Sequence, residues 1–146
     1  MKGTDVVLLL LLSVVVSACT ATGPNVSNPL PKIAEPEKAA EVVVIRENTI
    51  YGGAKTFRIL LDDREIFGIN YGEYTRFKVS HGKHSIGVKC FASFGIPVID
   101  NIEIDLEPKV TSYYFLSKKF QCASIEPKLA QEGEVLVGKS TLRPFE

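Results

Sequence analysis

From residue 42 onward, apolar and polar residues alternate in short segments that are separated by clusters of Gly, Asp and Asn. A period of two places every second side chain on the same face of a β-strand. Strands are therefore predicted at residues 42–46, 56–62 and 65–69, and Asp62-Asp63 predicts a tight turn between the second and the third. This regular spacing of strands and turns is typical of a sandwich or barrel.

The later segments extend the same pattern. Ile86, Val88 and Cys90 share one face of a strand at residues 84–90, so Cys90 is predicted to point toward the core. Residues 111–118 are apolar on both sides, which predicts an inner strand covered on both faces. Other strands are predicted at residues 74–80, 99–106 and 120–126, and residues 129–137 are predicted to form a short helix or a last strand. The expected fold is all-β: one antiparallel β-sandwich of seven to eight short strands over residues 40–146.

One apolar stretch interrupts the strands. Residues 91–97 contain Phe91, Phe94 and Ile96 but also Gly and Pro, which disfavours a central strand. One interpretation, which we favour at this point, is a loop that folds back over the core. The other is that these three side chains are exposed and form a partner-binding site.

The first residues have a different composition. An apolar run over residues 6–16 has the length of a signal-peptide core and is too short to span a bilayer. The following Ser17, Ala18 and Cys19 resemble the lipobox of bacterial lipoproteins, which implies cleavage after Ala18 and lipidation of Cys19. The alternative is an ordinary export signal with Cys19 as a bystander. Thr20, instead of the Asp that retains enterobacterial lipoproteins in the inner membrane, favours the outer membrane, with the domain facing the periplasm.

Residues 19–39 are predicted to be a flexible or semi-rigid linker. Four prolines occur in this stretch among Ser, Asn, Thr and Gly, without apolar periodicity. The chain thus divides into a signal peptide at 1–18, a lipidated linker at 19–39 and a single domain at 40–146.

Charge and cysteine content narrow the partners. The chain has 17 basic and 17 acidic residues, and they are interspersed, so nucleic acid is not predicted as a partner. If Cys19 carries lipid, Cys90 and Cys122 remain as an even pair in an oxidising compartment, which predicts a disulfide; two separately buried thiols are the alternative.

Catalytic and metal chemistry receive little support from the sequence. His81 and His84 are the only imidazoles, and no set of four ligands accompanies them. No nucleophile frame surrounds Ser80, Ser85, Asp62 or Asp63, and the two aspartates are expected to be turn formers. We therefore predict no catalytic residues, no metal and no cofactor.

A resemblance supports the same interpretation. Residues 60–68, followed by Gly72-Glu73-Tyr74-Thr75, residues 79–86 and Tyr113-Tyr114-Phe115, resemble the domain-of-unknown-function 2846 family of bacterial lipoproteins. More distantly the domain resembles carboxypeptidase-regulatory and PEGA-type sandwiches. The resemblance implies the fold and an envelope location but supplies no catalytic motif.

The sequence leaves three hypotheses about the function of the protein. The first is a non-enzymatic, lipid-anchored module that binds or scaffolds an unknown envelope protein or ligand and contacts the membrane through its lipid. The second is an envelope enzyme or metal-dependent module that uses His81 and His84. The third is a tethered protein inhibitor that inserts the loop at residues 91–97.

Overall fold

The computed structural model describes residues 28–49, 55–119 and 122–145. Within them, two β-sheets pack face to face, which confirms the predicted all-β sandwich. The described strands are β1 Ala40–Arg46, β2 Phe57–Leu61, β3 Arg64–Ile69, β4 Glu73–Val79, β5 Gly82–Phe91, β6 Pro97–Leu106, β7 Thr111–Lys118, β8 Ala123–Lys128 and β9 Thr141–Leu142. Residues 129–137, for which helix and strand were both open, contain the helix α1 at Ala130–Val137.

The larger sheet is mixed, so the prediction of an antiparallel sandwich is wrong for two strand pairs. Its strand order is β8-β7-β1-β4-β9, and β1 pairs in parallel with β7, as β4 does with β9. After β1 the chain forms β2 and β3 of the second sheet, returns to the larger sheet as β4, and forms β5 and β6 of the second sheet before it reaches β7. A connection of that length permits parallel pairing, which a short hairpin does not.

Strand β1 is the centre of the molecule and is buried on both faces. Val42 and Val44 face the core between the sheets, and Val43 and Ile45 face the opposite side. On that side α1 covers the sheet, where Leu136 packs against the cluster. Each fully buried aliphatic side chain of this kind contributes about 1.5–3 kcal/mol to stability, which explains the four consecutive apolar residues at positions 42–45.

The turn between β2 and β3 has the geometry that two-residue hairpins prefer. Asp62 and Asp63 both have positive φ, at 49° and 61°, and Leu61 pairs directly with Arg64. This is the pattern of a type I′ turn, whose twist matches the flanking strands. The prediction that the two aspartates form a turn is confirmed.

Both ends of the described chain attach to the sandwich. The side-chain amide of Asn28 donates a hydrogen bond to the carbonyl of Glu65 at 2.6 Å, and Leu30 packs against the core. At the other end, the ring of Phe145 stacks on Phe67 with the centroids 5.2 Å apart. The predicted signal peptide, Cys19 and the linker up to residue 27 lie outside the described residues. In the part of the chain described here, no helix is both long and apolar enough to cross a membrane.

Candidate functional site

A cavity of about 610 Å³ opens at one end of the sandwich. The ends of β1, β5 and β7 and the start of β2 meet there, so four strands from both sheets contribute to its walls. Its volume falls within the range of small-molecule sites in proteins. The apolar part of the lining consists of Phe57, Cys90, Phe91, Ala92, Phe94, Ile96, Leu116 and Cys122.

The side chain of Arg46 lies in this cavity between the two sheets. Since Val42 and Val44 face the core, alternation along β1 directs Arg46 to the same face, and only 3% of its surface is exposed. Among the described residues, it is the only charged side chain that is buried. Burial lowers the pKa of Arg46 to about 10, although the charge of Glu73 acts in the opposite direction. Arg46 is therefore still a cation at neutral pH.

The contacts of Arg46 fix the plane of its guanidinium group. Nη1 donates hydrogen bonds to the carbonyls of Lys55 at 2.6 Å and Ile69 at 2.9 Å. Ile69 is the last residue of β3 in the opposite sheet, and Lys55 lies two residues before β2 of that sheet. The guanidinium carbon lies 3.6 Å from the centroid of the Phe57 ring, a cation–π contact. The guanidinium group is thus held by the Phe57 ring on one face and by the two hydrogen bonds of Nη1. It connects the two sheets at the floor of the cavity.

Positive charge exceeds negative charge around the cavity. Three lysines also line it, Lys55, Lys118 and Lys119, against the single carboxylate of Glu47. That carboxylate accepts a hydrogen bond from the backbone N–H of Lys118 at 3.2 Å. Within the described ranges, neither Arg46 nor any of these three lysines forms an ion pair, since no carboxylate oxygen lies within 4.0 Å of their nitrogens.

The loop with the three predicted contact residues forms the rim of the cavity. Phe91, Phe94 and Ile96 are all exposed, and Phe94 is completely so. The expectation that this loop folds back over the core was wrong, because the core at this end is closed by Arg46, Phe57 and Leu116 instead. The apolar composition of residues 91–97 gave no indication of this, since it fits a cap and an exposed contact equally.

The loop has a defined conformation. Ala92 N–H donates to the carbonyl of Ile96 at 2.8 Å, and Gly95 N–H donates to that of Ala92 at 3.2 Å. Between them, Phe94 has a φ of 64°, which is unusual for a bulky residue and costs on the order of 1–3 kcal/mol. The hydrogen bonds therefore hold Phe94 in a strained conformation at the tip of the β5–β6 hairpin.

Cys90 and Cys122 form a disulfide in the wall of the cavity, as the sequence predicted. Cys90 also points into the core, with 2% of its surface exposed. The bridge joins β5 of the smaller sheet to the residue before β8 of the larger sheet.

The ring of His84 has a hydrogen-bonding partner at each of its two nitrogens. His84 Nδ1 lies 2.8 Å from a carboxylate oxygen of Asp62, and Nε2 lies 3.0 Å from the backbone carbonyl of Ser80. Both ring nitrogens are thus occupied, and a carbonyl oxygen stands where a catalytic hydroxyl would be needed. The other Asp62 oxygen accepts from the backbone N–H of Ser85 at 3.0 Å, which ties the turn to β5.

No group of three or more His, Cys, Asp or Glu side chains within the described residues is arranged to hold a metal ion. Asp63, the neighbour of Asp62 in the turn, is exposed.

Sequence reasoning missed Arg46, which lies at the floor of the cavity. The signal that would have found it is the alternation of β1, because Val42, Val44 and Arg46 fall on one face. A charged residue in register with buried valines is the indication of a buried cation.

Comparison of this chain with family models, with curated proteins and with solved structures gave no match.

Proposed function

We propose that this protein is a lipid-anchored module of the bacterial cell envelope that binds a ligand or partner at the cavity end of its sandwich and catalyses no reaction. The observation that carries the proposal is the complete exposure of Phe94 on a hydrogen-bonded loop beside an apolar cavity. Exposed apolar residues next to a concave apolar surface are the usual composition of a binding site.

The location in the envelope is supported by two features. The apolar run over residues 6–16 and the lipobox-like Cys19 favour export and lipid attachment. The Cys90–Cys122 disulfide fits an oxidising compartment such as the periplasm. We infer an outer-membrane anchor with the domain facing the periplasm, and mass spectrometry of the amino terminus from the host tests it: an unacylated terminus would contradict the anchor.

A non-enzymatic role is supported by the chemistry of the cavity. Its charged groups are cations and one carboxylate that binds a backbone amide. Among the described lining residues, none pairs a nucleophile with a general base, which hydrolytic catalysis requires.

Hydrogen exchange tests the binding site directly. The chain from residue 20 onward, exported with a cleavable leader, is mixed with an extract of host envelope, and amide exchange is followed by mass spectrometry. We expect slower exchange at residues 91–97 and 116–118. The variant Phe94→Ser should lose this protection and keep its melting temperature, because the ring makes no buried contact.

Val110→Ser is the matched control. Val110 is also an exposed apolar residue, and its carbonyl accepts a hydrogen bond from the backbone N–H of Glu41. Glu41 lies at the opposite end of β1 from Arg46, and the rise of a strand separates these two residues by about 16 Å. This variant should behave like the wild type. No protection in the wild type, or protection only near Val110, would contradict the proposed site.

A further inference from the structure

We infer that the cavity binds an anionic amphiphile, a carboxylate or phosphate head group on an apolar body, whose head group pairs with Arg46. This inference rests on the proposed function, since it names the class of ligand for the same site.

The first step is the missing counterion of Arg46. A buried cation is costly unless an anion compensates for it. The charge of Glu73 acts on Arg46, but the Glu73 oxygens are bonded to Arg143 at 3.0 Å and to the backbone N–H of Asn70 at 2.8 Å. In the described part of the chain, the structure thus holds a cation between its sheets without a paired carboxylate.

The second step is the geometry of the guanidinium group. Both of its hydrogen bonds leave from Nη1, and the ring of Phe57 covers one face. Among the described residues, none accepts a hydrogen bond from Nε or Nη2 of Arg46. These two nitrogens lie on the same side of the group and match the two oxygens of a carboxylate or two of a phosphate.

An alternative explanation is that Arg46 serves only to connect the sheets. Its bonds to Lys55 and Ile69 do this, and they would explain a hydrogen-bond donor at this position. They do not explain the full charge, or the three further cations at the same opening. A neutral donor would connect the sheets without the cost of a buried charge.

The third step is the apolar part of the lining. Phe91, Phe94 and Ile96 lie on one side of the opening, and Leu116 and the disulfide lie deeper. A small inorganic anion would leave these surfaces without a partner, whereas an amphiphile covers them with its apolar body. The lysines at the mouth add long-range attraction for an anion.

Calorimetric titration with ligands of equal chain length tests the inference. Decanoate, decyl phosphate and decyltrimethylammonium, each below its micelle concentration, are added to the chain from residue 20 onward, which contains all described contacts. Decanoate or decyl phosphate should bind at least about tenfold more tightly than the cationic ligand, a difference of about 1.4 kcal/mol. The stronger of the two anions identifies the head group.

Variants assign the head group to the site. Arg46→Gln should weaken binding of the preferred anion by about tenfold or more, and should leave binding of decyltrimethylammonium unchanged. If this variant does not fold, Lys118→Glu combined with Lys119→Glu decides, since both side chains are exposed and the variant should fold. It should weaken anion binding severalfold and reduce its dependence on salt.

Three results would overturn the inference: equal affinity for the anionic and cationic ligands, full affinity of a folded Arg46→Gln variant, or no binding of either anion. If an envelope extract still protects residues 91–97 in the exchange experiment, the binding function survives and only the ligand class fails. If neither the extract nor the anions act there, both proposals fail.

Discussion

Cys90 at the end of β5 and Cys122 before β8 are bonded from one sheet to the other, with their Cα atoms 5.7 Å apart. The residues are 32 positions apart in sequence, and the chain between them contains the loop that carries Phe94, together with β6 and β7. The bond therefore joins the sheets at the wall of the cavity and restrains the loop at its rim.

Reduction of this disulfide should lower the melting temperature. Closing a loop of this length stabilises a fold by about 3–4 kcal/mol, mainly because it restricts the unfolded chain. Thermal unfolding followed by circular dichroism, with and without dithiothreitol, measures the effect. The double variant Cys90→Ser/Cys122→Ser is the control and should be insensitive to the reductant; an equal melting temperature for oxidised and reduced wild type would refute the prediction.

Gly133 of α1 is required for the close approach of the helix to the sheet. A Cβ at this position would lie nearer to the ring of Tyr113 than two carbon atoms can approach. Gly133→Ala should therefore displace α1 and cost about 1–3 kcal/mol of unfolding free energy, in spite of the better helix propensity of alanine. Denaturant unfolding measures it.

Gly138, directly after the same helix, is the matched control. A Cβ there meets no atom closer than 3.6 Å, and its φ of −62° suits any residue. Gly138→Ala should be neutral or stabilise by up to about 1 kcal/mol. Similar losses in both variants would mean that helix propensity and not the Tyr113 contact decides.

Replacing each of the two aspartates of the β2–β3 turn by glycine should change the unfolding free energy in opposite directions. Both have positive φ, which glycine adopts without strain, but only Asp62 holds His84 and the backbone of Ser85. Asp63→Gly should raise the unfolding free energy by about 0.5–1 kcal/mol, and Asp62→Gly should lower it by about 1–2 kcal/mol. A stabilised Asp62→Gly variant would show that the bonds to β5 contribute nothing.

Tyr113 makes the unfolding free energy depend on pH in the alkaline range. Burial, with a hydrogen bond from its hydroxyl to Glu134, raises the pKa of Tyr113 from 10.0 to about 12. Between these values the unfolded chain loses the proton and the native state keeps it, so unfolding releases a proton and the unfolding free energy falls as pH rises. The contribution is complete below pH 10 and disappears as pH passes through 12.

The comparison with Tyr113→Phe isolates this effect, since other groups titrate in the same range. Denaturant unfolding of both proteins at several pH values should show that the unfolding free energy of the wild type falls relative to that of Tyr113→Phe between pH 10 and pH 12. Parallel curves would show that the phenol is not held in its neutral form by the fold.

Alternation of side chains predicted those strands that bury only one face. Phe57, Ile59 and Leu61 are buried in β2, and Cys90 lies on the predicted face of β5. Alternation does not encode which strands are neighbours, so the parallel pairing of β1 with β7 was not accessible. Such pairing depends on contacts far apart in the chain.

The site was predicted only in part. Phe91, Phe94 and Ile96 are a candidate site because apolar residues are unusual in a loop, but composition does not determine whether a loop covers a core or leaves it open. Arg46 follows four buried apolar residues in β1 and looked like a strand end. Its burial depends on Phe57 and on carbonyls of the opposite sheet, which only the fold brings to it.

A crystal structure of the chain from residue 20 onward, grown with decanoate and with decyl phosphate, tests the account most directly. We expect the head group of one of them within hydrogen-bonding distance of Nε and Nη2 of Arg46, and its apolar body against Phe91, Phe94 and Ile96. A guanidinium group paired with a carboxylate of the chain itself, or a ligand bound away from Arg46, would contradict the account.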